Sequence, residues 1–329
     1  MTPFILNTIA DFFPNATSVM DLFSGSSCVG YALKKKGYQV FSNDHNFFAY
    51  MLAKCYVETD FSYELIKDTS LWIAYLNTLH GSSGYFTSTF CVKSNFFHKS
   101  NGEKIDSIRE EILHHSLPPA LTAILLVSLI EAADKVDSTC GMQMAYLKKF
   151  PPRAYKPITL KVPTLLYQST YGKSLALNLD VLSAAKKIIA DVAYIDPPYN
   201  QHNYLANYHI WESLALWDKP AHYGIACKRI DCKVRKSIFN YKNLFLSNLS
   251  HLLNIIQSKN IILSFSDEGF INSNELKQFL SKHGKLISIL SFKYKRYIGS
   301  KIGIHNKFGI PVGHSSHSYN KEFLYILEK

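Results

Sequence analysis

Hydrophobic and polar positions at the start of the chain follow two alternating patterns. An apolar run at residues 18–23 ends in a loop of small residues at 24–30, and a helical pattern follows from Tyr31 to Lys36. Tyr38 to Ser42 is a second apolar run, and Phe47 to Val57 has the spacing of another helix. This strand–loop–helix–strand order predicts the opening of a doubly wound, nucleotide-binding α/β sheet.

The pattern breaks after this opening. A stretch rich in Gly, Ser and Thr comes first, and two helical stretches follow at Lys104–His115 and Leu121–Val136. A basic segment punctuated by prolines comes next. We therefore predict one split α/β domain, residues 1–79 with 176–329, that carries an inserted, mostly helical region at residues 80–175.

The α/β pattern resumes after the insertion. Val192–Ile195 is a wholly apolar strand that ends in Asp196-Pro197-Pro198-Tyr199. Two long strands near the end of the chain have the separation of an antiparallel hairpin. The remaining elements predicted here are helices at 181–190, 241–258 and 275–283 and strands at 260–266, 286–298 and 322–328.

The composition of the 329-residue chain excludes a mostly disordered protein, because 47% of its residues are hydrophobic. Lys and Arg number 36 against 25 Asp and Glu, which gives a net charge of +11. Three windows, residues 138–179, 219–242 and 293–307, hold 18 of the cations and one acid, so they carry +17 and the remainder −6. This distribution predicts a localised face for an anionic partner, either nucleic acid or a membrane surface.

Other features exclude several classes of protein. The first residues contain no basic region followed by an apolar run, as a signal peptide would. The longest apolar stretch, Ala120–Ile130, is shorter than the roughly 20 residues of a membrane span and predicts a buried helix. Six cysteines include no C-x-x-C pair, so we expect free thiols and no metal. We therefore predict a soluble, cytoplasmic protein.

The loop after the first strand is the first candidate site. It reads Asp21-Leu22-Phe23-Ser24-Gly25, and Asp44 closes the second strand. Glycine lets the backbone approach a ligand, and a carboxylate in this place accepts a hydrogen bond from a ribose hydroxyl. The loop lacks the full G-x-G-x-x-G pattern of a dinucleotide phosphate cradle. On these residues alone, a tight turn with a solvated Asp44 fits equally well.

Asp196-Pro197-Pro198-Tyr199 is the second candidate site, and it also follows a strand end, where open α/β sheets bind ligands. Consecutive prolines fix the backbone, so the Asp196 carboxylate, the Pro197 carbonyl and the Tyr199 ring are held in a set arrangement. The two oxygens suit an exocyclic amine, while the ring suits the face of a planar heterocycle. Taken alone, the tetrapeptide also fits a rigid turn.

Together these motifs resemble the S-adenosylmethionine-dependent adenine-N6 DNA methyltransferases, in particular the Dam-like D12 enzymes. The shared order is the 21–25 loop, a long insertion and the 196–199 tetrapeptide, and the likeness continues through Asn200–Tyr204 and Asn207–Glu212. The resemblance implies a Rossmann-like class I methyltransferase sheet with a C-terminal antiparallel β-hairpin. It also implies that the helical insertion is a target-recognition region.

The resemblance implies roles for individual residues. Direct methyl transfer to N6 of a flipped-out adenine would use Asp196, Pro197, Pro198 and Tyr199, without a metal. The expected contacts of S-adenosylmethionine are Asp21, Phe23, Gly25, Asp44, Asp180 and Asp196. Asp180 also fits a helix N-cap before Val181. Ser27 stands where many relatives carry a second loop glycine.

Double-stranded DNA is the expected substrate, and a cognate restriction endonuclease is a candidate partner. This implies an enzyme in the cytoplasm, associated with the nucleoid. The predicted DNA contacts are Tyr204, Asn207, Tyr208, Lys228, Arg229, Lys233, Arg235 and Lys236. Alternatives remain open: the amino group could belong to cytosine N4, an RNA adenine or a glutamine side chain. The chain could also be a catalytically silent DNA-binding subunit.

Overall fold

A seven-stranded sheet organises the computed structural model, which describes residues 1–295, 304–305, 311–313 and 319–329. The strands run in the order β3-β2-β1-β4-β5-β7-β6, and β7 is antiparallel to both of its neighbours while the other pairs are parallel. Their bounds are β1 (Ser18–Asp21), β2 (Gln39–Asn43), β3 (Leu175–Leu177), β4 (Val192–Ile195), β5 (Asn260–Ser266), β6 (Lys285–Lys295) and β7 (Tyr319–Glu328). Two small ribbons pair 222–223 with 228–229 and 304–305 with 311–313.

Helices cover both faces of the sheet. The longer ones are α1 (Thr2–Phe12), α2 (Cys28–Lys35), α3 (Phe47–Ala53), α4 (Tyr63–Thr78), α5 (Lys99–His114), α6 (Pro119–Asp134), α7 (Val181–Lys187), α8 (His209–Leu216), α9 (Phe245–Ile255) and α10 (Ser273–Leu280). Short helical turns occupy 85–87, 152–155, 204–207, 230–233, 238–240 and 242–244, and wider π-type turns occupy 54–58 and 88–92.

The alternation of side chains along the central strands builds two separate cores. Val19 of β1 faces a core that α1 and α2 cover, whereas the next residue, Met20, faces a core that α7 and α9 cover. Every residue of β4 is buried, as expected for a parallel strand covered on both faces. The two loops that follow β1 and β4 therefore stand on a rigid base.

The inserted region shares a third core with the sheet domain. Phe48 of α3 and Trp211 of α8 belong to the same buried cluster as the inner faces of α5 and α6. Helix α6 is buried on nearly all sides, as its uninterrupted apolar sequence predicts. Within the described residues, no helix combines the length and apolarity needed to cross a membrane. The proposed boundaries at 80 and 175 stay a prediction.

Most predicted elements of the sheet domain are confirmed, with shifted ends. The strands at 192–195 and 260–266 have their predicted bounds, and β6 with β7 forms the predicted antiparallel pair. The helix predicted from Tyr241 begins at Phe245, because short turns at 238–240 and 242–244 precede it. The end of the predicted strand 286–298 and most of the basic window 293–307 lie outside the described residues.

Candidate functional site

The loop between β1 and α2 is held open by one glycine and one carboxylate. Gly25 has a left-handed backbone, with φ of +49°, and its amide donates to Asp44 Oδ2 over 2.9 Å. The other carboxylate oxygen of Asp44 accepts from the Asn46 amide at 2.8 Å. Burial raises the pKa of Asp44 to about 6, although these two hydrogen bonds oppose the rise. The two predicted parts of the cofactor site therefore lie in direct contact.

Asp21, the last residue of β1, is a buried carboxyl group with an unsatisfied oxygen. It is 1% exposed, and Oδ1 has no hydrogen-bond partner among the described residues. Burial, with the nearby charges of Asp196 and Asp44, raises its pKa to about 8. The hydroxyls of Ser24 and Ser27 in the same loop are likewise buried and unpartnered within the described part of the chain. Such groups favour a polar ligand that completes their hydrogen bonds.

Asp196 follows β4 at the same edge of the sheet. Strands β1 and β4 are parallel neighbours with Asp21 opposite Tyr194, so their two loops lie side by side. Asp196 is exposed at the surface. Desolvation by the protein around its carboxyl group nevertheless raises its pKa to about 6. Hydrogen bonding from the side chains of Ser264 and Tyr194 opposes that rise.

The rest of the tetrapeptide is braced by β5 and the loop after it. Pro197 is buried, Pro198 and Tyr199 are half-buried, and the Tyr199 ring packs edge-on against Phe265 at 5.9 Å. The Tyr199 carbonyl accepts from the Phe270 amide at 2.9 Å. Burial, followed by the charge of Glu322, raises the pKa of Tyr199 to about 12. Packing on Phe265 and the backbone bond to Phe270 thus orient the ring, and hydrogen bonding of its hydroxyl with Ser266 opposes the rise in pKa.

Three aromatic or carboxylate side chains extend the site beyond the two motifs. The Tyr204 hydroxyl lies so close to Gly25 that a β-carbon added there would stand 3.4 Å from it. Tyr208 packs against Tyr204 at 4.8 Å between ring centres, and both contact Phe48. The structure thus places Tyr204 beside the cofactor loop. Glu322 of β7 was missed by sequence reasoning, and burial, with the charge of Asp196, raises its pKa to about 7.

Asp180 is exposed and caps helix α7. Its carboxylate accepts from the Ser183 amide at 3.0 Å, and hydrogen bonding by Ser183 lowers its pKa. This is the alternative that the sequence left open. A contact of Asp180 with a cofactor stays a prediction.

Two of the five predicted DNA-binding cations, Arg229 and Arg235, form ion pairs with acids of this chain. Arg229 is 3% exposed, and its guanidinium binds Asp218 through two 2.7 Å hydrogen bonds and Asp231 at 3.0 Å. Arg235 pairs with the fully buried Glu212 at 2.7 Å and with Asp231 at 3.0 Å. Hydrogen bonds engage all three guanidinium nitrogens of Arg229, whereas Arg235 makes one such bond from each of its two terminal nitrogens. The buried Arg229 is therefore not accessible to a phosphate, while a phosphate contact of Arg235 stays a prediction.

Four of the other predicted DNA contacts lie at or beside an open groove, whereas Tyr204 and Tyr208 line a second pocket. Lys233 and Lys236 are exposed, Lys228 is half-buried, and Asn207 lines the same groove as the two exposed lysines. Glu212, which sequence reasoning did not assign, also accepts from the Phe48 amide at 2.9 Å, so it links the basic loop to α3. No metal-binding group of His, Cys, Asp or Glu occurs in the described ranges.

The strand order, the glycine loop after β1 and the acidic residue after β2 define a Rossmann-like methyltransferase fold. The chain belongs to the D12 class of N6 adenine-specific DNA methyltransferases, whose family model matches residues 4–278. The resemblance inferred from the two motifs is thereby confirmed.

Several curated proteins are similar over most of the chain. Modification methylase StsI of Streptococcus sanguinis is 32% identical over 84% of this chain and 44% of its own length. Type II methyltransferase M.FokI of Planomicrobium okeanokoites is 32% identical over 84% of this chain and 45% of its own. Type II methyltransferase M.NlaIII of Neisseria lactamica is 29% identical over 94% of this chain and 90% of its own length. The chain thus spans less than half the length of the first two relatives.

Proposed function

We propose that this protein methylates adenine N6 at a specific site in double-stranded DNA, as the modification enzyme of a restriction-modification system. The observation that carries the proposal is the Asp196–Tyr199 loop standing beside the Asp21–Gly25 loop at one sheet edge. The names of the relatives, which include Type II methyltransferases, support it. Such an enzyme would act on the nucleoid in the cytoplasm, with a cognate endonuclease as its partner.

The family implies S-adenosylmethionine as methyl donor, and the residues of the cofactor loop fit it. The cofactor carries ribose hydroxyls, a cationic sulfur and a charged amino acid group. Asp21, Ser24 and Ser27 have buried oxygens without a partner among the described residues, which suit such groups, and Asp44 offers a carboxylate at the end of β2. Phe23 and Asp180 complete the proposed set. When bound, the cofactor supplies an electrophilic methyl group.

The Asp196 loop prepares the amine for attack. The N6 lone pair of adenine is delocalised into the ring, so the free amine is a poor nucleophile. Hydrogen bonds from N6 to the Asp196 carboxylate and the Pro197 carbonyl favour a pyramidal nitrogen with a localised lone pair. Tyr199 stacks on the base and holds it in place. With a pKa near 6, Asp196 is mostly ionised at neutral pH, and a carboxylate is a stronger hydrogen-bond acceptor than the neutral acid.

Reaching N6 requires the adenine to leave the DNA stack, which costs a few kcal/mol. The aromatic cluster of Tyr204 and Tyr208 borders the cleft that would receive it. The inserted region, residues 80–175, would recognise the surrounding sequence, and its basic window would contact phosphates.

Nucleoside analysis tests this proposal. The protein is incubated with S-adenosylmethionine and unmethylated plasmid DNA, which is then digested and separated. We expect N6-methyladenine, and none when Asp196→Ala replaces the wild type. N4-methylcytosine, or methylation of RNA in preference to DNA, would contradict the proposal. Titration calorimetry with S-adenosylmethionine excludes the silent-subunit alternative, because a pure DNA binder would give no binding heat.

A further inference from the structure

A groove of about 380 Å³ lies directly after the catalytic loop. Three separate segments form it: the residues following Tyr199, the basic loop at 222–236 and the inserted region. The side chains that line it include Met144, Gln201, Asn207, Tyr223, Lys233 and Lys236. Because Gln201 is two residues from Tyr199, their Cα atoms lie within about 7 Å of each other, so the groove begins next to the Asp196–Tyr199 loop.

The groove carries lysines that lack acidic partners among the described residues, while the acids nearby are paired with arginines. Asp218 and Asp231 are engaged by Arg229, and Arg235 engages Asp231 as well. Within the described ranges, no salt bridge involves Lys233, Lys236 or Lys228. The Lys228 ammonium stands 3.2 Å from Met144 Sδ, which places a third cation at the groove wall. Three uncompensated ammonium groups favour an anion there.

Two asparagine side chains fasten the groove to the catalytic loop. The Asn203 amide donates to the carbonyls of Cys232 and Arg235 at 3.1 and 3.0 Å. The Asn240 amide donates to the carbonyls of Asn200 and His202 at 2.9 and 3.0 Å. An anion held by the basic loop is therefore held at a fixed distance from the residues that follow Tyr199.

The groove also offers surfaces suited to a base. The Tyr223 ring faces the Lys233 ammonium at 4.6 Å, and the amide side chains of Gln201 and Asn207 line the opposite segment. A nucleotide can use all three kinds of group: its base stacks on an aromatic ring, its base edge bonds to amides, and its phosphate binds cations. A membrane headgroup would use the cations alone.

We propose that this groove binds the nucleotide adjacent to the target adenine on the same DNA strand, with its phosphate on Lys233 and Lys236. The proposal rests on the proposed function. Holding this phosphate fixes the strand on one side of the flipped base. The hydrogen bonds of Asn203 and Asn240 keep the basic loop at a fixed position relative to the Asp196–Tyr199 loop. Binding energy from a group that does not react then places the reacting amine.

The test removes the two charges and uses a matched control pair. The variant carries Lys233→Gln and Lys236→Gln. The control carries Lys186→Gln and Lys187→Gln, two exposed lysines in the last turn of α7, which precedes β4 and so lies at the opposite edge of the sheet. Affinity for a 30-bp duplex is measured from 50 to 300 mM salt. Each neutralised phosphate contributes about 0.9 to the slope of log affinity against log salt, and the two lysines share one phosphate, so we expect the variant to lose about 0.9. An equal slope in variant and control would overturn the proposal.

A second measurement locates the phosphate. Duplexes carry an uncharged methylphosphonate on the 5′ or the 3′ side of the target adenine, at a site found by sequencing methylated DNA. For the wild type, one of the two positions should weaken binding, and the double variant should show no further loss at that position. Equal losses in both proteins, or none at either position, would overturn the proposal. If the wild type makes no N6-methyladenine, the proposed function fails instead.

Discussion

The Gly25 amide donates a hydrogen bond to the Asp44 carboxylate over 2.9 Å, across 19 positions of sequence. This bond joins the loop after β1 to the end of β2, which are the two parts of the proposed cofactor site. It also lowers the pKa of Asp44 relative to what burial alone would give. The loop is thus shaped before a cofactor binds, and changes at Gly25 should affect binding more than folding.

Gly25→Ala should weaken binding of S-adenosylmethionine. A left-handed alanine costs about 1 kcal/mol of stability, and the new methyl group would stand in the cleft 3.4 Å from the Tyr204 hydroxyl. Gly224→Ala is the matched control, because Gly224 also has positive φ, of +68°, but faces open space. Calorimetry should show reduced affinity only for Gly25→Ala. Equal affinities in the two variants would contradict the assignment of the loop.

Asp21→Asn should stabilise the cofactor-free protein at high pH. The pKa of Asp21 is raised from 3.8 to about 8 in the folded state, so the folded state binds the proton more tightly than the unfolded state does. The free energy of unfolding therefore falls as pH rises between these two values. The neutral amide removes this loss of stability, which we expect to be roughly 5 to 6 kcal/mol at pH 9 and below about 1 kcal/mol at pH 4. Denaturant unfolding at both pH values measures it.

Exposed Asp68→Asn on α4 provides the control for the Asp21 variant. It removes the same charge without changing a buried group, so it should not reproduce the pH-dependent gain. A gain for Asp21→Asn that is constant from pH 4 to pH 9 would show that the carboxyl group does not titrate in this range.

Ser27→Gly should stabilise the protein by about 1 kcal/mol. Ser27 has φ of +61°, and its buried hydroxyl has no partner within the described residues and makes no cap bond to α2. Ser116→Gly is the control, because Ser116 also has positive φ, of +43°, but its side chain is exposed. Urea midpoints should rise more for Ser27→Gly. A fall would mean that the Ser27 hydroxyl is satisfied.

The sequence located both loops because strand ends in a parallel sheet share one edge and because glycine and proline mark their turns. The sequence could not show which cations of the basic loop are buried in ion pairs and which are exposed. Arg229 and Lys233 belong to one charged run, yet one is buried between two acids and the other is exposed. That difference depends on contacts between segments that composition does not encode.

Contacts between segments that lie far apart in sequence explain the other features that the sequence did not predict. Helix α4 has a broad mixture of polar and apolar positions, and its inner face is defined only by the core around Phe48 and Trp211. Glu322 lies far along the chain from Asp196, and only the insertion of β7 between β5 and β6 brings them together. Tyr204 likewise meets Gly25 through the fold and not through proximity in sequence.

Arg229→Gln should destabilise the fold by roughly 3 kcal/mol, because it leaves the acids around a buried guanidinium without their partner. Lys233→Gln, four positions away and exposed, should change stability by less than about 0.5 kcal/mol. Thermal unfolding compares the two variants directly. Equal effects would contradict the division of this loop into structural and DNA-facing cations.

Single-molecule sequencing of DNA from cells that carry the gene tests the central claim most directly. It reports the modified base and its sequence context together, and a gene with Asp196→Ala provides the control, after thermal unfolding confirms that the variant is folded. We predict N6-methyladenine at one short motif with the wild-type gene and none with Asp196→Ala. The same methylation in both, or a modified base other than adenine, would contradict the claim that Asp196 presents an adenine amine for methylation.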